Sequence, residues 1–207
     1  VSKGLTTATN DSGTSTDSVE SRILDAALVQ FEKQGFKKTT IEDIARQASV
    51  DRVTVYRRIG SRDDVVKAVT AREVQRVVVE LAEFAGGFDT ADDLVAGLFA
   101  AVVNRWRTHP FAQRMLSMEP ERALGQLTTE GGAPFTMTVA AMVAILHDAT
   151  TRGLFPELPD QVARVEIVCR IVHSFILQPV GTIPMDSDAE LEAFARRYLV
   201  PILNPES

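Results

Sequence analysis

Thiols and imidazoles are scarce in this chain of 207 residues, which has one cysteine and three histidines. A single thiol, Cys169, excludes an intramolecular disulfide and points to a reducing compartment. Within IVCRIV it reads as a small buried apolar residue. His109, His147 and His173 have no His, Cys, Asp or Glu partner at ligand spacing, so neither a metal nor a cofactor is expected. The chain also lacks a G-x-S-x-G turn, a phosphate-binding glycine loop and two histidines flanking a glutamate, and so offers no reason to propose an enzyme. No unbroken apolar run nears the roughly 20 residues of a membrane helix. No charged start leads into an apolar leader. The expectation is a soluble, cytoplasmic protein with no membrane partner.

Negative charge is in excess, with a formal net charge of −6, which taken alone argues against a polyanionic partner. The distribution reverses that inference. From Lys33 to Arg62 there are eight basic residues against three acidic ones, whereas from Val69 onward there are 11 basic and 18 acidic. A basic end joined to an acidic body suits a protein that presents only one end to nucleic acid.

The basic end has a legible local pattern. Ile41, Ile44, Ala45 and Ala48 repeat at helical spacing. Thr39 with Glu42 and Thr40 with Asp43 are both spaced as capping boxes. Asp51 opens a second short helix whose Val55 and Ile59 face inward, while Arg52, Thr54, Tyr56, Arg57 and Arg58 face out. A short, basic, exposed helix suits the major groove, where arginine donates to guanine and phosphate. Upstream, residues 1–17 are polar and read as a disordered tail. A helix follows from about Val19 to Lys33, stopped by Gly35. Downstream, Ser61 with Asp64 caps a long helix that runs to about Phe84, where Gly86-Gly87 breaks it. Further helices are expected over about 91–108, 111–118, 120–128, 134–151, 160–178 and 187–200, set off by Pro110, Pro120 and the loop RGLFPELP. The fold class is all-α.

The run ILDAALVQFEKQGF followed by TTIEDIARQASVDRVTVYRRIGSRDDVV resembles the DNA-binding domain of the TetR family of bacterial transcriptional regulators. Departures from the usual pattern are Ser49 in the interhelix turn, where glycine is common, and Val53, Arg58 and Ile59 in the second helix. The resemblance implies a tail over 1–17, a three-helix helix-turn-helix DNA-binding domain over 18–66, and a helical ligand-binding and dimerisation domain over 67–207. It implies contacts with double-stranded DNA, at a palindromic operator, from Thr40, Arg52, Val53, Thr54, Tyr56, Arg57, Arg58 and Arg62. Of these, Thr40, Tyr56 and Arg62 are expected at phosphates. Arg52, Val53, Thr54 and Arg57 are expected at base edges, and Arg58 suits either.

A small-molecule effector would lie in the helical body. Phe99, Trp106, Met115, Phe135, Met142 and His173 are the candidate lining, although each taken singly reads first as ordinary core. The helices near 134–151 and 160–178 are too apolar for lone surface helices, and the resemblance implies that they pair in a homodimer. The function expected is a homodimeric repressor released from its operator by a small apolar ligand. An all-α enzyme or a protein-interaction module would use the same apolar body, but neither needs the basic helix.

Overall fold

The computed structural model describes residues 12–118, 120–128 and 132–205, without the side chains of 12–18, 115, 122, 123, 126 and 127. Every regular element described is helical. The chain divides into two compact units, Val1–Thr70 and Ala71–Ser207.

The first unit is built from α1 (Ser12–Gln34), α2 (Ile41–Gln47), α3 (Arg52–Arg58) and the start of α4 (Arg62–Ala85). One side chain from each turn of these helices supplies its core: Ile23, Ala27 and Phe31 of α1, Ile44 of α2, Val55 of α3, and Val65 and Val69 of α4 are all buried. The helix α1 starts at Ser12, earlier than the Val19 expected from sequence. A helix nucleated by an apolar face propagates into polar residues at little cost, and those residues carry no periodic signal. Residues 1–11, most of the expected tail, lie outside the described residues.

The caps were partly misread. Thr40 caps α2 in a capping box with Asp43: the Asp43 amide donates to Thr40 Oγ1 (3.1 Å), and the Thr40 amide donates to Asp43 Oδ2 (3.1 Å). Thr39 is no cap. It is buried, and its hydroxyl donates to the Gly35 carbonyl (2.7 Å), tying α1 to the segment before α2. Asp51 accepts from the Thr54 amide (2.6 Å) at the start of α3. Ser61 and Asp64 form the expected pair at α4.

These cap bonds favour the ionised carboxylates. The Thr40 hydroxyl and amide hold Asp43 below the usual range, the Thr54 amide does so for Asp51, and Ser61 for Asp64. A depressed folded pKa adds stability that is complete above the ordinary value near ~4 and is lost as pH falls through the lowered one. Helical circular dichroism should therefore decline only below about pH 4. Undiminished helicity and thermal stability down to strong acid would contradict the caps.

The second unit contains the rest of α4, α5 (Ala91–Thr108), α6 (Pro110–Met118), α7 (Pro120–Leu127), α8 (Gly132–Thr151), α9 (Gln161–Leu177), α10 (Asp188–Phe194) and α11 (Val200–Leu203). Its centre is α5, whose Leu94, Val95, Ala96, Phe99, Ala100 and Val103 are buried. Around it pack α6, α9, α10 and α11, while α8 packs against α9. At Gly97 a Cβ would lie 2.4 Å from the Phe88 ring, so any larger residue would displace that ring. Arg152 holds the end of α4: its guanidinium donates to the Ala85, Gly86 and Phe88 carbonyls (3.2–3.3 Å) and pairs with Asp148 (3.2 Å). A cation on the last carbonyls of a helix offsets their unpaired, negative end.

The last helix expected, 187–200, is instead interrupted. Ala195–Leu199 is a π-helical turn, in which the Val200 amide reaches back five residues to the Ala195 carbonyl. Pro201, in the first turn of α11, lacks the amide that would bond to the preceding turn. A one-turn widening accommodates it.

Cys169 is buried on α9, and burial, aided by the Glu166 charge, pushes its thiol from 9.0 up to about 11. At neutral pH the thiolate is scarce. Alkylation by iodoacetamide should be roughly a hundredfold slower in the native protein than after unfolding, since two pKa units cost a hundredfold in thiolate. Native and unfolded rates that match would make this an exposed, reactive thiol.

The helix α8 departs from the membrane reading in one respect. With 20 residues and a mean hydropathy of 1.2, it is long and apolar enough to cross a bilayer, although the chain has no continuous apolar run. Its Val139, Ile145, Leu146 and Ala149 are buried, leaving Met137, Ala140, Ala144 and His147 on an exposed face. Val162 and Ile167 on α9 are exposed as well.

Candidate nucleic-acid interface

Two helices of seven residues each, α2 and α3, meet at a three-residue corner formed by Ala48, Ser49 and Val50. Neither is long enough to be stable alone, so packing must hold them. Val55 anchors α3 from beneath, with no exposure, and half-buried Ile59 supports its end. The opposite face is open: Val53 is 71% exposed, Tyr56 55%, and Arg52 and Arg57 are exposed as well. An aliphatic and an aromatic side chain this accessible, flanked by guanidinium groups, form a surface fitted to a partner that is both anionic and partly apolar, such as a DNA groove with its thymine methyl groups.

The individual candidates are held differently. Arg52 pairs with Glu42 of α2 (3.1 Å) across an exposed gap, a contact weak enough to exchange for phosphate. Thr54 is half-buried, its amide spent on Asp51. Arg57 projects freely enough to be exposed. Arg58 is half-buried, and its Nε is enclosed with no hydrogen-bond acceptor. Thr40 is exposed at the N-terminus of α2 beside Asp43.

Arg62 has a role that its position in the sequence did not reveal. One of its terminal nitrogens donates to the Phe36 carbonyl (2.8 Å) and the Lys37 carbonyl (3.3 Å), bracing the segment that leads into α2. Sequence reasoning had no signal for this contact, because the partners are backbone atoms 25 and 26 residues away.

The candidate effector residues are dispersed over the second unit. Phe99 is deep in an aromatic cluster, 6.1 Å from the Phe175 ring and 5.4 Å from the Phe194 ring. Phe135 of α8 meets His173 of α9 edge to face at 5.7 Å, with the Arg170 guanidinium 5.1 Å from the Phe135 ring centre. Met142 is half-buried against the core, and Trp106 is half-buried on α5. The side chain of Met115 lies outside the described residues. Among the described residues, no three His, Cys, Asp or Glu side chains are grouped to hold a metal.

A small helical unit with a braced two-helix corner, an outward basic helix and a separate all-α body defines a helix-turn-helix DNA-binding regulator. Residues 23–69 match the model of the bacterial regulatory proteins of the tetR family. An HTH-type transcriptional regulator of Mycobacterium tuberculosis is 26% identical over 195 residues, spanning 93% of this chain and 89% of the relative. By fold, the chain resembles the TetR-family repressor AlkX of Dietzia, implicated in biodegradation of n-alkanes, with a TM-score of 0.65 and 17% identity over 89% of this chain and 94% of that one. It also resembles the Rhodococcus erythropolis repressor QsdR, with a TM-score of 0.65 and 18% identity over 91% and 95% of the two chains. Residues 23–69 are thus similar to a tetR-family DNA-binding domain, and nearly the whole chain is similar to an HTH-type transcriptional regulator.

Proposed function

We propose that the chain is a homodimeric repressor that leaves a palindromic operator when a small, largely apolar effector enters its helical body. One observation carries this reading: α3 is anchored by fully buried Val55 and turns Arg52, Val53, Tyr56 and Arg57 outward together. Arg52, Val53, Thr54 and Arg57 face base edges. Thr40, Tyr56 and Arg62 meet phosphates, with the α2 N-terminus adding its own attraction for an anion. Arg58 serves either role. Residues 18–66 act as the reading domain and 67–207 as the sensing and pairing domain.

One seven-residue helix reads too few bases to find a single operator, so two copies are needed on two half-sites. The exposed apolar side chains of α8 and α9, the helices near 134–151 and 160–178, supply the pairing surface. Phe99, Trp106, Met115, Phe135, Met142 and His173 line or border the effector site, with His173 as its polar handle. The helix α4 begins in the first unit and continues into the second, which makes it the lever. An effector shifts the balance only by preferring one state, and a change from mostly bound to mostly released needs about 5.5 kcal/mol of preference. Both AlkX and QsdR are named repressors, which favours that direction of control. A regulator of this kind works where the chromosome is, in the cytoplasm.

Selection of genomic fragments with purified protein, read by sequencing, tests the proposal. An enriched palindrome with half-site centres a whole number of helical turns apart is the expected result. Recovery of fragments with no shared motif would overturn it.

A further inference from the structure

The corner between α2 and α3 is the one place among the described residues where a side chain other than glycine adopts a left-handed backbone: Ser49 has φ of 54°. That conformation crowds a Cβ against the following carbonyl, and a strained residue persists only where its surroundings enforce it. The enforcement comes from α1. An Arg22 terminal nitrogen donates to the Ala48 carbonyl (2.8 Å), the peptide immediately before Ser49. A second strut, from Gln30 Nε2 to Gln47 Oε1 (3.1 Å), joins the same two helices one residue earlier. Ala48 and Ser49 amides close the corner from within, onto the Ile44 (2.8 Å) and Arg46 (3.2 Å) carbonyls, and the Val50 amide reaches the Ala45 carbonyl (3.0 Å). The Ala48 carbonyl, pointing away from these bonds, is held by the guanidinium.

We propose that Arg22 is a positioning residue for DNA reading: by binding the Ala48 carbonyl it locks the strained corner at Ser49 and thereby sets the direction in which α3 projects. This inference rests on the reading of α3 as the recognition helix. Seven residues carry all the candidate base contacts, and a small rotation at the corner displaces every one of them. Arg22 itself need not touch DNA. Its charge would add to phosphate attraction, but its hydrogen bond acts through geometry, and the two effects differ in salt dependence. A lost phosphate contact lowers the slope of log affinity against log salt by about 0.9, whereas a relaxed corner leaves that slope unchanged and weakens only the cognate complex.

The test uses Arg22→Ala, Arg22→Lys, Ser49→Gly and the double variant Arg22→Ala with Ser49→Gly. The DNA probes are a palindromic fragment recovered with the unaltered protein and a scrambled fragment of equal length, titrated by fluorescence anisotropy at several salt concentrations. Arg22→Ala should weaken the palindrome about tenfold, change the scrambled fragment less than twofold and keep the salt slope. Arg22→Lys, which retains a donor, should recover part of the loss. Ser49→Gly removes the strain, so the double variant should recover most of it.

Amide exchange at Ser49 and Val50, read without DNA, should quicken at least fivefold in Arg22→Ala and slow again in the double variant. A parallel loss on both fragments with a shallower slope would overturn the inference in favour of a phosphate contact. Unchanged exchange in Arg22→Ala, or no recovery in the double variant, would overturn it as well. The exchange measurement judges the corner alone. Failure of the unaltered protein to distinguish the two fragments would instead condemn the recognition-helix reading.

Discussion

On the proposed reading, Arg57→Ala is expected to abolish discrimination between operator and unrelated DNA while the protein stays folded. Arg57 is exposed on α3, so its truncation leaves no cavity and removes no core contact. A well-formed arginine–guanine pair is worth about 1–3 kcal/mol against the wrong base. A two-fold dimer loses the pair at both half-sites, or roughly 2–6 kcal/mol. That corresponds to between about thirtyfold and twenty-thousandfold in affinity. Residual binding to any sequence should persist, because Tyr56, Arg62 and the α2 N-terminus still meet phosphate. The measurement is a competitive titration of operator against scrambled duplex, with circular dichroism as the folding control. Unchanged discrimination would remove Arg57 from the set of base-reading residues.

The second large effect is expected at the pairing surface. Ile167 is 49% exposed on α9, and on the proposed reading that exposure disappears in the dimer. Ile167→Asp would then bury an unpaired carboxylate, a change costing several kcal/mol per site and incurred twice in a symmetric interface. Sedimentation velocity should show a monomer, and operator affinity should fall by more than about a hundredfold, since a monomer engages one half-site and loses the effective concentration of the second. Ile183→Asp is the matched control. Ile183 is 48% exposed in the loop between α9 and α10, so the same chemistry outside α8 and α9 should leave the dimer and its DNA binding intact. If Ile167→Asp remains a dimer, the apolar faces of α8 and α9 are covered in some other way.

How much of this was legible beforehand depended on the range of the interactions concerned. The caps at Thr40, Asp51 and Ser61 are patterns spaced by three residues, and the apolar repeats of α2 and α3 span a turn or two. Both kinds of signal lie along the chain, and both proved accurate. The misreadings have the same explanation in reverse. Thr39 with Glu42 has the spacing of a cap, but the Gly35 carbonyl, just past the end of α1, claims the Thr39 hydroxyl. The π-helical turn at Ala195–Leu199 was foreshadowed only by Pro201, which sequence reasoning treated as lying beyond the helix end. The start of α1 at Ser12 left no periodic trace, because nothing in that turn repeats as an apolar face.

From its sequence alone the protein is determined to be all-helical, with one short basic helix at a capped corner, because hydrogen-bond caps and apolar periodicity act over a few residues. Folding decided the rest: that Arg22 and Arg62 spend donors on distant carbonyls, that Arg152 closes the end of α4, and which faces of α8 and α9 stay uncovered. Those outcomes depend on which backbone atoms approach across dozens of intervening residues. No local spacing encodes such an approach, since it is set by how the helices pack and not by any one of them.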